Sequence, residues 1–101
     1  TRFAKVSWAR RCVYETADKL TGMFAIALWD RKENTLWLGR DPIGEKPLYY
    51  TVTPDKWLVF ASELSAIVAY LGRTPSLDME AVADYFAYGY VPDPKSIYRA
   101  I

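Results

Sequence analysis

One short segment of the chain, residues 40–46, carries charged side chains of both signs among turn residues. Asp41 and Glu45 stand close enough in sequence to act as paired carboxylates in general acid–base chemistry. In a structural alternative, Arg40 and Lys46 neutralise them at a strand end, with each surface ion pair contributing about 0–1 kcal/mol. We favour the structural interpretation because no second polar cluster, metal-ligand spacing or phosphate-binding loop accompanies the segment.

Proline and glycine shape the same segment into a connection between two strand-like runs. Pro42 and Pro47 fix φ and lack an N–H group, so neither suits a central strand. Gly44 allows the backbone to turn through positive φ. The sequence therefore predicts a structural motif made of Arg40, Asp41, Gly44, Pro47 and Tyr49.

Nucleophilic chemistry has little support in this chain. There is no histidine, so a Ser-His-Asp or Cys-His site cannot be built from these residues alone, and a structural zinc site is excluded as well. The single cysteine, Cys12, falls within a predicted helix without a neighbouring base, which favours buried packing over a reactive thiol. Ser62 is interpreted as a helix cap and not as a nucleophile.

Composition narrows the class of protein. With 101 residues, 51% of them hydrophobic, the chain can form one packed domain at most. A net charge of +1 with dispersed charges lacks the basic surface of a nucleic-acid binder. No apolar run spans a membrane and no signal peptide opens the chain, while a single cysteine suits a reducing, cytoplasmic setting. A start at Thr1 and an apolar end at Ile101 suggest a piece of a longer protein.

Apolar periodicity in the first half predicts a helix followed by two strands. The helix is expected from about Phe3 to Leu20, ending at Thr21-Gly22. Residues 23–29 predict a strand buried on both faces, and residues 36–39 a second strand across a polar turn. Trp29 and Trp37 are expected to approach each other across this hairpin.

The second half predicts two more strands and two helices. Residues 48–52 and 57–61 read as strands three and four of an antiparallel meander, joined by a turn at residues 53–56. One helix is expected from a Ser62 cap to about Leu71, with Gly72 as its stop, and another from an Asp78 cap to about Tyr88, with Gly89 as its stop. The inward residues are expected to be Leu64, Ile67, Val68 and Leu71 in the first helix and Met79, Val82, Ala83 and Phe86 in the second.

The remaining C-terminal residues complete an α+β prediction. Residues 91–94 are expected to form an extended connector after the last helix. The order helix, four strands, helix, helix is typical of an α+β layered structure with an antiparallel sheet. Tyr85, Tyr88 and Tyr90 favour a core or interface role over a stacking platform for a ligand.

Three motifs in order closely resemble the glutamine-hydrolysing asparagine synthetase family. They are LTGMFAIALWD at residues 20–30, GRDPIGEKPLYY at residues 39–50 and FASELSAI at residues 60–67. They are similar to the second half of that family's N-terminal class II glutamine amidotransferase domain. Residues 77–94 resemble the segment that leads toward its synthetase domain. The resemblance covers nearly the whole chain and is weakest before Leu20.

The resemblance implies a fold, a reaction and a cellular setting. The domain in that family is an N-terminal-nucleophile hydrolase of α-β-β-α layers, in which an N-terminal cysteine releases ammonia from glutamine. The ammonia travels through a tunnel to a synthetase domain that uses ATP and Mg to amidate aspartate. A cytoplasmic enzyme is implied, and a homodimer is compatible with the family.

The resemblance matches no catalytic, cofactor-binding or metal-ligating residue of the family within this chain. The nucleophile and its substrate-binding partners are expected upstream, and the ATP loop downstream, so this chain alone is not expected to be active. Met23, Glu45 and Lys46 match positions near the tunnel entrance and the domain interface. Residues 1–71 are assigned to the amidotransferase domain, and residues 72–101 to a linker helix and connector.

Other interpretations stay open at this point. A non-catalytic amidotransferase-like module could act in binding or assembly, and a relative could amidate a carboxylate other than aspartate. If the chain is half of a domain, it should expose apolar sheet surface for the other half to cover.

Overall fold

Antiparallel strands and short helices make up the part of the chain that the computed structural model describes, residues 2–3 and 18–101. They are β1 (Arg2–Phe3), β2 (Ala25–Asp30), β3 (Thr35–Arg40), β4 (Tyr49–Val52), β5 (Leu58–Ala61), α1 (Leu64–Leu71) and α2 (Met79–Tyr88). Residues 1–48 and 49–101 form separate compact units. The predicted α+β class with antiparallel strands is confirmed.

The first unit contains a three-stranded sheet in the order β1-β3-β2. Its register pairs Leu28 with Trp37 and Trp29 with Leu36. Because neighbouring residues of a strand point to opposite faces, Trp29 and Trp37 lie on different faces of the sheet. The expected approach of the two tryptophans is therefore wrong: Trp37 is fully buried, whereas Trp29 is 54% exposed.

Strand β2 is not buried on both faces, contrary to the prediction. Leu28 and Trp29 point to opposite faces of the sheet, and both side chains are about half exposed. The central strand β3 is the buried one, through Trp37 and Leu38.

Local turn chemistry closes the β2–β3 hairpin as predicted. One oxygen of Asp30 accepts hydrogen bonds from the backbone N–H groups of Lys32 (2.9 Å) and Glu33 (3.2 Å). Asn34 completes the turn at φ 50°, a conformation that asparagine tolerates better than most residues. The polar turn between the two strands is confirmed.

The second unit contains a separate two-stranded sheet of β4 and β5. The predicted turn at its tip is confirmed, because Lys56 N–H donates to the Thr53 carbonyl at 2.8 Å. The predicted continuous meander is wrong, since the strands described here divide into two sheets and β3 is not paired with β4. Pro42 and Pro47 lie in the connection between β3 and β4, outside both strands.

The two faces of the β4–β5 hairpin differ sharply in exposure. Helix α1 contacts both strands, and the face that carries Thr51 and Val59 is buried or half-buried. The other face is apolar and 40–62% exposed, and it consists of two cross-strand pairs, Tyr50 with Phe60 and Val52 with Leu58. The expected exposure of apolar sheet surface is confirmed.

Helix ends follow the predictions with one exception. Gly72 (φ 67°) and Gly89 (φ 81°) cap the C-termini of α1 and α2 in the left-handed conformation. Asp78 caps α2 by accepting a 3.0 Å hydrogen bond from the Glu80 N–H group. The Ser62 cap is wrong, because Glu63 occupies the N-cap position of α1 without a side-chain cap.

The buried face was predicted correctly for α1 but not for α2. Helix α1 buries Ile67 and half-buries Leu64, Val68 and Leu71, as expected. In α2 the predicted inward residue Phe86 is 83% exposed, and Ala81 is buried instead. Beside Ala81 the helix makes a polar contact, in which Lys95 Nζ lies 2.9 Å from Asp84 and 3.4 Å from Glu80. The C-terminal segment is thus bound to the polar side of the helix.

The C-terminal segment returns toward the start of α2, so the predicted extended connector at residues 91–94 is wrong. Lys95 N–H donates to the Pro92 carbonyl at 3.1 Å and closes a turn. Asp78 N–H then donates to the Ile97 carbonyl (2.9 Å), and Arg99 N–H to the Ser76 carbonyl (3.1 Å). The Thr51 hydroxyl donates to the Ala100 carbonyl, which ties this segment to β4.

The predicted N-terminal helix lies almost entirely outside the described residues, and so does Cys12. Its proposed start is wrong, because Phe3 belongs to β1 and pairs with Gly39. Gly22, at its proposed end, has φ 99°, a conformation that favours glycine. In the described part of the chain, neither helix has the length and apolar character needed to cross a membrane.

Candidate functional site

The carboxylate of Asp41 is the centre of the polar arrangement that follows β3. One oxygen accepts a hydrogen bond from Glu45 N–H at 2.9 Å. The other accepts from Lys46 N–H at 3.0 Å and from Phe24 N–H at 3.3 Å. Asp41 is 4% exposed, so a buried charge is satisfied by backbone donors from two separate segments.

The Asp41 backbone reinforces the same arrangement. Its N–H donates to the Phe24 carbonyl at 2.9 Å, and its carbonyl accepts from Gly44 N–H at 3.0 Å. Asp41 and Phe24 therefore exchange two hydrogen bonds, one through the main chain and one through the side chain. The start of β2 is joined to the loop after β3 at this point.

These donors stabilise the ionised form and so lower the pKa of the carboxyl group. The Lys46 N–H group makes the largest contribution, burial opposes it, and the Glu45 and Phe24 N–H groups add to it, so that the pKa of Asp41 falls from 3.8 to about 2. Such a group stays ionised at neutral pH and has no proton to donate. The geometry thus favours a structural role for Asp41 over acid–base catalysis with Glu45.

Arg40 and Gly44 make a close contact within the same loop. Gly44 has φ 74°, and a Cβ atom built on it would lie 1.9 Å from a terminal nitrogen of the Arg40 guanidinium. The guanidinium therefore occupies the space that any other residue at position 44 would need. Glycine is favoured here by its backbone conformation, and a Cβ atom would in addition require the end of the Arg40 side chain to move.

We expect Gly44→Ala to destabilise the loop by about 1–2 kcal/mol from backbone strain, and further by displacing Arg40. Gly72→Ala is the matched control, because Gly72 has φ 67° and no atom within 4 Å of a built Cβ. Denaturation of the full-length protein that carries the chain measures both. In a double-mutant cycle, Gly44→Ala should cost less free energy of unfolding when Arg40 is already replaced by Ala, because the steric conflict is then absent. Equal costs in both backgrounds would contradict the steric explanation.

The structure brings three of the sequence-predicted site residues into one neighbourhood through Asp41. Glu45 and Lys46 give their N–H groups to it, and Met23 shares a peptide bond with its third donor, Phe24. All three side chains are exposed, Met23 by 60%. Of the remaining motif residues, Pro47 is exposed, and Tyr49 is the first residue of β4 in the other compact unit.

Phe24 and Lys95 are the residues that sequence reasoning missed. The contact of Phe24 with Asp41 could not be predicted from residue type, because Phe24 contributes only its main chain and lies 17 residues away in sequence. Lys95 pairs with Glu80 and Asp84, whose spacing on one helix face was a usable signal. The Asp84 carboxylate raises the pKa of Lys95 above its ordinary value of 10.5.

The tyrosines at the end of α2 are exposed and contact one another locally. The Tyr85 and Phe86 rings meet edge to face with centroids 6.1 Å apart, and the centroids of the Tyr88 and Tyr90 rings lie 6.3 Å apart, with the ring planes tilted.

In the residues described, no group of three or more His, Cys, Asp or Glu side chains is placed to hold a metal ion.

Comparison with known proteins identifies the family. The family model described as "Glutamine amidotransferase domain" matches residues 6–101, and the chain belongs to this family of glutamine amidotransferase domains. It is 39% identical over 83 residues to asparagine synthetase [glutamine-hydrolyzing] 1 of Bacillus subtilis, covering 82% of this chain. It is 33% identical over 88 residues to putative asparagine synthetase [glutamine-hydrolyzing] 2 of Methanocaldococcus jannaschii, covering 85% of this chain.

A third relative is similar to the chain at a comparable level of identity. The chain is 34% identical over 89 residues to a putative asparagine synthetase [glutamine-hydrolyzing] of Mycobacterium bovis, covering 86% of this chain. The chain spans only 13–17% of the length of these three curated relatives. No solved structure matches it.

Proposed function

We propose that this chain is part of a glutamine-hydrolysing asparagine synthetase. Residues 1–71 would supply the C-terminal half of its glutamine amidotransferase domain, and residues 72–101 would lead toward its synthetase domain. The family match over residues 6–101 is the observation that carries the proposal. The relatives at 33–39% identity, all named as asparagine synthetases, support it.

The proposed reaction has two parts, both performed outside this chain. Water cleaves the side-chain amide bond of glutamine, through a cysteine nucleophile, to give glutamate and ammonia. ATP, with Mg, would activate the aspartate side-chain carboxyl by adenylation with release of pyrophosphate, and the nitrogen of ammonia would then displace AMP to form asparagine. The residues of this chain would support the glutaminase pocket and the passage of ammonia, with Met23, Glu45 and Lys46 near the tunnel entrance and the domain interface.

The β4–β5 hairpin supports the proposed α-β-β-α fold of an N-terminal-nucleophile hydrolase. Helix α1 contacts the hairpin, and the face carrying Tyr50, Val52, Leu58 and Phe60 is apolar and exposed. One helix layer and one sheet layer are thus present, and the exposed face has the character of a surface that packs on a second sheet. Each Å² of apolar surface buried there would stabilise the folded protein by about 25 cal/mol.

We expect the full-length protein to release glutamate from glutamine and the isolated 101-residue polypeptide to release none. The reason is that the proposed nucleophile lies outside this chain, which has no histidine to activate its single cysteine. A coupled glutamate assay measures both proteins. Cys12→Ala in the full-length protein is the control and should keep full activity. Glutamate release by the polypeptide that Cys12→Ala abolishes would contradict the proposal.

A further inference from the structure

Helix α2 is short and receives little support from apolar packing. It has ten residues, and isolated helices shorter than about 12 residues are marginally stable in water. Among the described residues, no strand or other helix contacts it. Ala81 is its one buried residue, and four of its large apolar side chains are 52–83% exposed: Met79, Tyr85, Phe86 and Tyr88. Burial of apolar surface therefore contributes little to keeping α2 folded.

The segment of residues 95–100, which we call the latch, binds the N-terminal part of this helix. Lys95 Nζ lies 2.9 Å from the Asp84 carboxylate and 3.4 Å from that of Glu80. The Ile97 carbonyl accepts a 2.9 Å hydrogen bond from the N–H group of Asp78, whose own carboxylate caps the helix. The latch thus holds the capping residue of α2 and two acidic side chains in its first two turns.

The other end of the latch is bound to the β4–β5 hairpin. The Ala100 carbonyl accepts a hydrogen bond from the hydroxyl of Thr51 in β4, and Thr51 is buried. Between the two attachments, the buried Ser96 hydroxyl donates to the Tyr98 carbonyl at 2.9 Å and accepts from the Tyr98 N–H group at 3.0 Å. These bonds order the latch between its attachments, so loss of either attachment should weaken the other.

We propose that the latch is a conformational device: while it is closed α2 is folded, and when it opens α2 unfolds locally while the β4–β5 hairpin and α1 stay folded. Local openings of this kind occur in elements with few buried apolar contacts. Helix α1 differs in this respect, because it contacts both strands and buries Ile67 completely. The inference goes beyond the proposed function and does not depend on the reaction that the whole protein performs.

Hydrogen exchange of the full-length protein, followed by mass spectrometry, tests the latch. Lys95→Met removes the charge that binds Asp84 and Glu80, and Thr51→Val removes the hydroxyl that binds Ala100 with little change of shape. Each replacement should speed the exchange of the α2 amides by about threefold or more, and the double variant by about tenfold or more. Exchange of the α1 amides should change by less than about twofold.

Lys32→Met and Thr35→Val are the matched controls in the other compact unit. Lys32 is exposed, and its hydrogen bond to Asp30 uses only its main-chain N–H group. The Thr35 hydroxyl also donates to a carbonyl, that of Glu33 at 3.1 Å, but the two residues are close neighbours in sequence. Neither change should alter the exchange of α2.

Two results would overturn the latch. Unchanged α2 exchange in the folded double variant would show that a different contact, such as a partner surface on the exposed aromatic side chains, keeps the helix folded. Equal acceleration of α1 and α2 would show that the whole unit opens together. Both readouts are independent of activity, so failure of the latch and failure of the proposed function are distinguishable.

Discussion

Asp41→Asn should lower the Tm of the domain that contains this chain by roughly 5–10 °C at neutral pH, because backbone donors lose a buried, charged acceptor. The loss should depend on pH. The pKa of Asp41 is lowered from 3.8 to about 2 in the folded protein, so its contribution to stability is fully present above about pH 4. It is lost as the pH falls through about 2, the folded-state pKa, below which the carboxyl is protonated in both states.

Thermal denaturation of wild type and variant between pH 3 and pH 7 measures this effect. The difference in Tm should be constant from pH 7 to about pH 5 and should shrink below pH 4. Asp30→Asn provides the comparison, since Asp30 accepts its hydrogen bonds at an exposed turn. A difference for Asp41→Asn that does not change with pH would show that the ionised carboxylate is not the source of the stability.

Ile67→Ala should destabilise the α1 region by about 2–5 kcal/mol. Ile67 is completely buried where α1 packs on β4 and β5, and its truncation removes apolar contacts and leaves a cavity. Hydrogen exchange of the α1 amides in the full-length protein measures the change locally. Protection factors should fall by at least about tenfold, which corresponds to roughly 1.4 kcal/mol.

Tyr70→Ala is the matched control for Ile67. Tyr70 lies on the same helix, loses a larger side chain and is 62% exposed, so its replacement should change stability by no more than about 0.5 kcal/mol. Equal loss of protection in the two variants would contradict the assignment of Ile67 to the buried face of α1 and Tyr70 to its exposed face.

Local signals were predictable from this sequence because their causes are local. The Asp78 cap, the left-handed Gly72 and Gly89 and the turn at Thr53 depend on a few neighbouring residues. The inward face of α1 was predictable as well, because its large aliphatic residues recur at three- and four-residue steps. For these elements the structure expected from neighbouring residues is the structure observed.

Features that depend on distant partners were not predictable. In α2, Glu80 and Asp84 pair with Lys95 after the chain has turned back, a contact that the periodicity of the helix does not contain. The separation of Trp29 from Trp37 follows from the hairpin register, which composition does not specify. The sequence indicated a braced loop at Asp41, but its bond to Phe24 depends on two segments meeting in space.

The family was recognisable from motifs, and the comparisons confirm it. The order of LTGMF, GRDPIGEKPLYY and FASEL was informative because each motif combines turn residues with apolar runs at fixed spacing. The roles of Met23, Glu45 and Lys46 stay predictions.

Transfer of labelled nitrogen tests the central proposal most directly. The full-length protein is incubated with glutamine carrying ¹⁵N in its side-chain amide, together with aspartate, ATP and Mg. We expect ¹⁵N in the side-chain amide of asparagine, with glutamate as the other product. Label released only as free ammonia, or found in the amide of a different carboxylate acceptor, would contradict assignment of this chain to an asparagine synthetase.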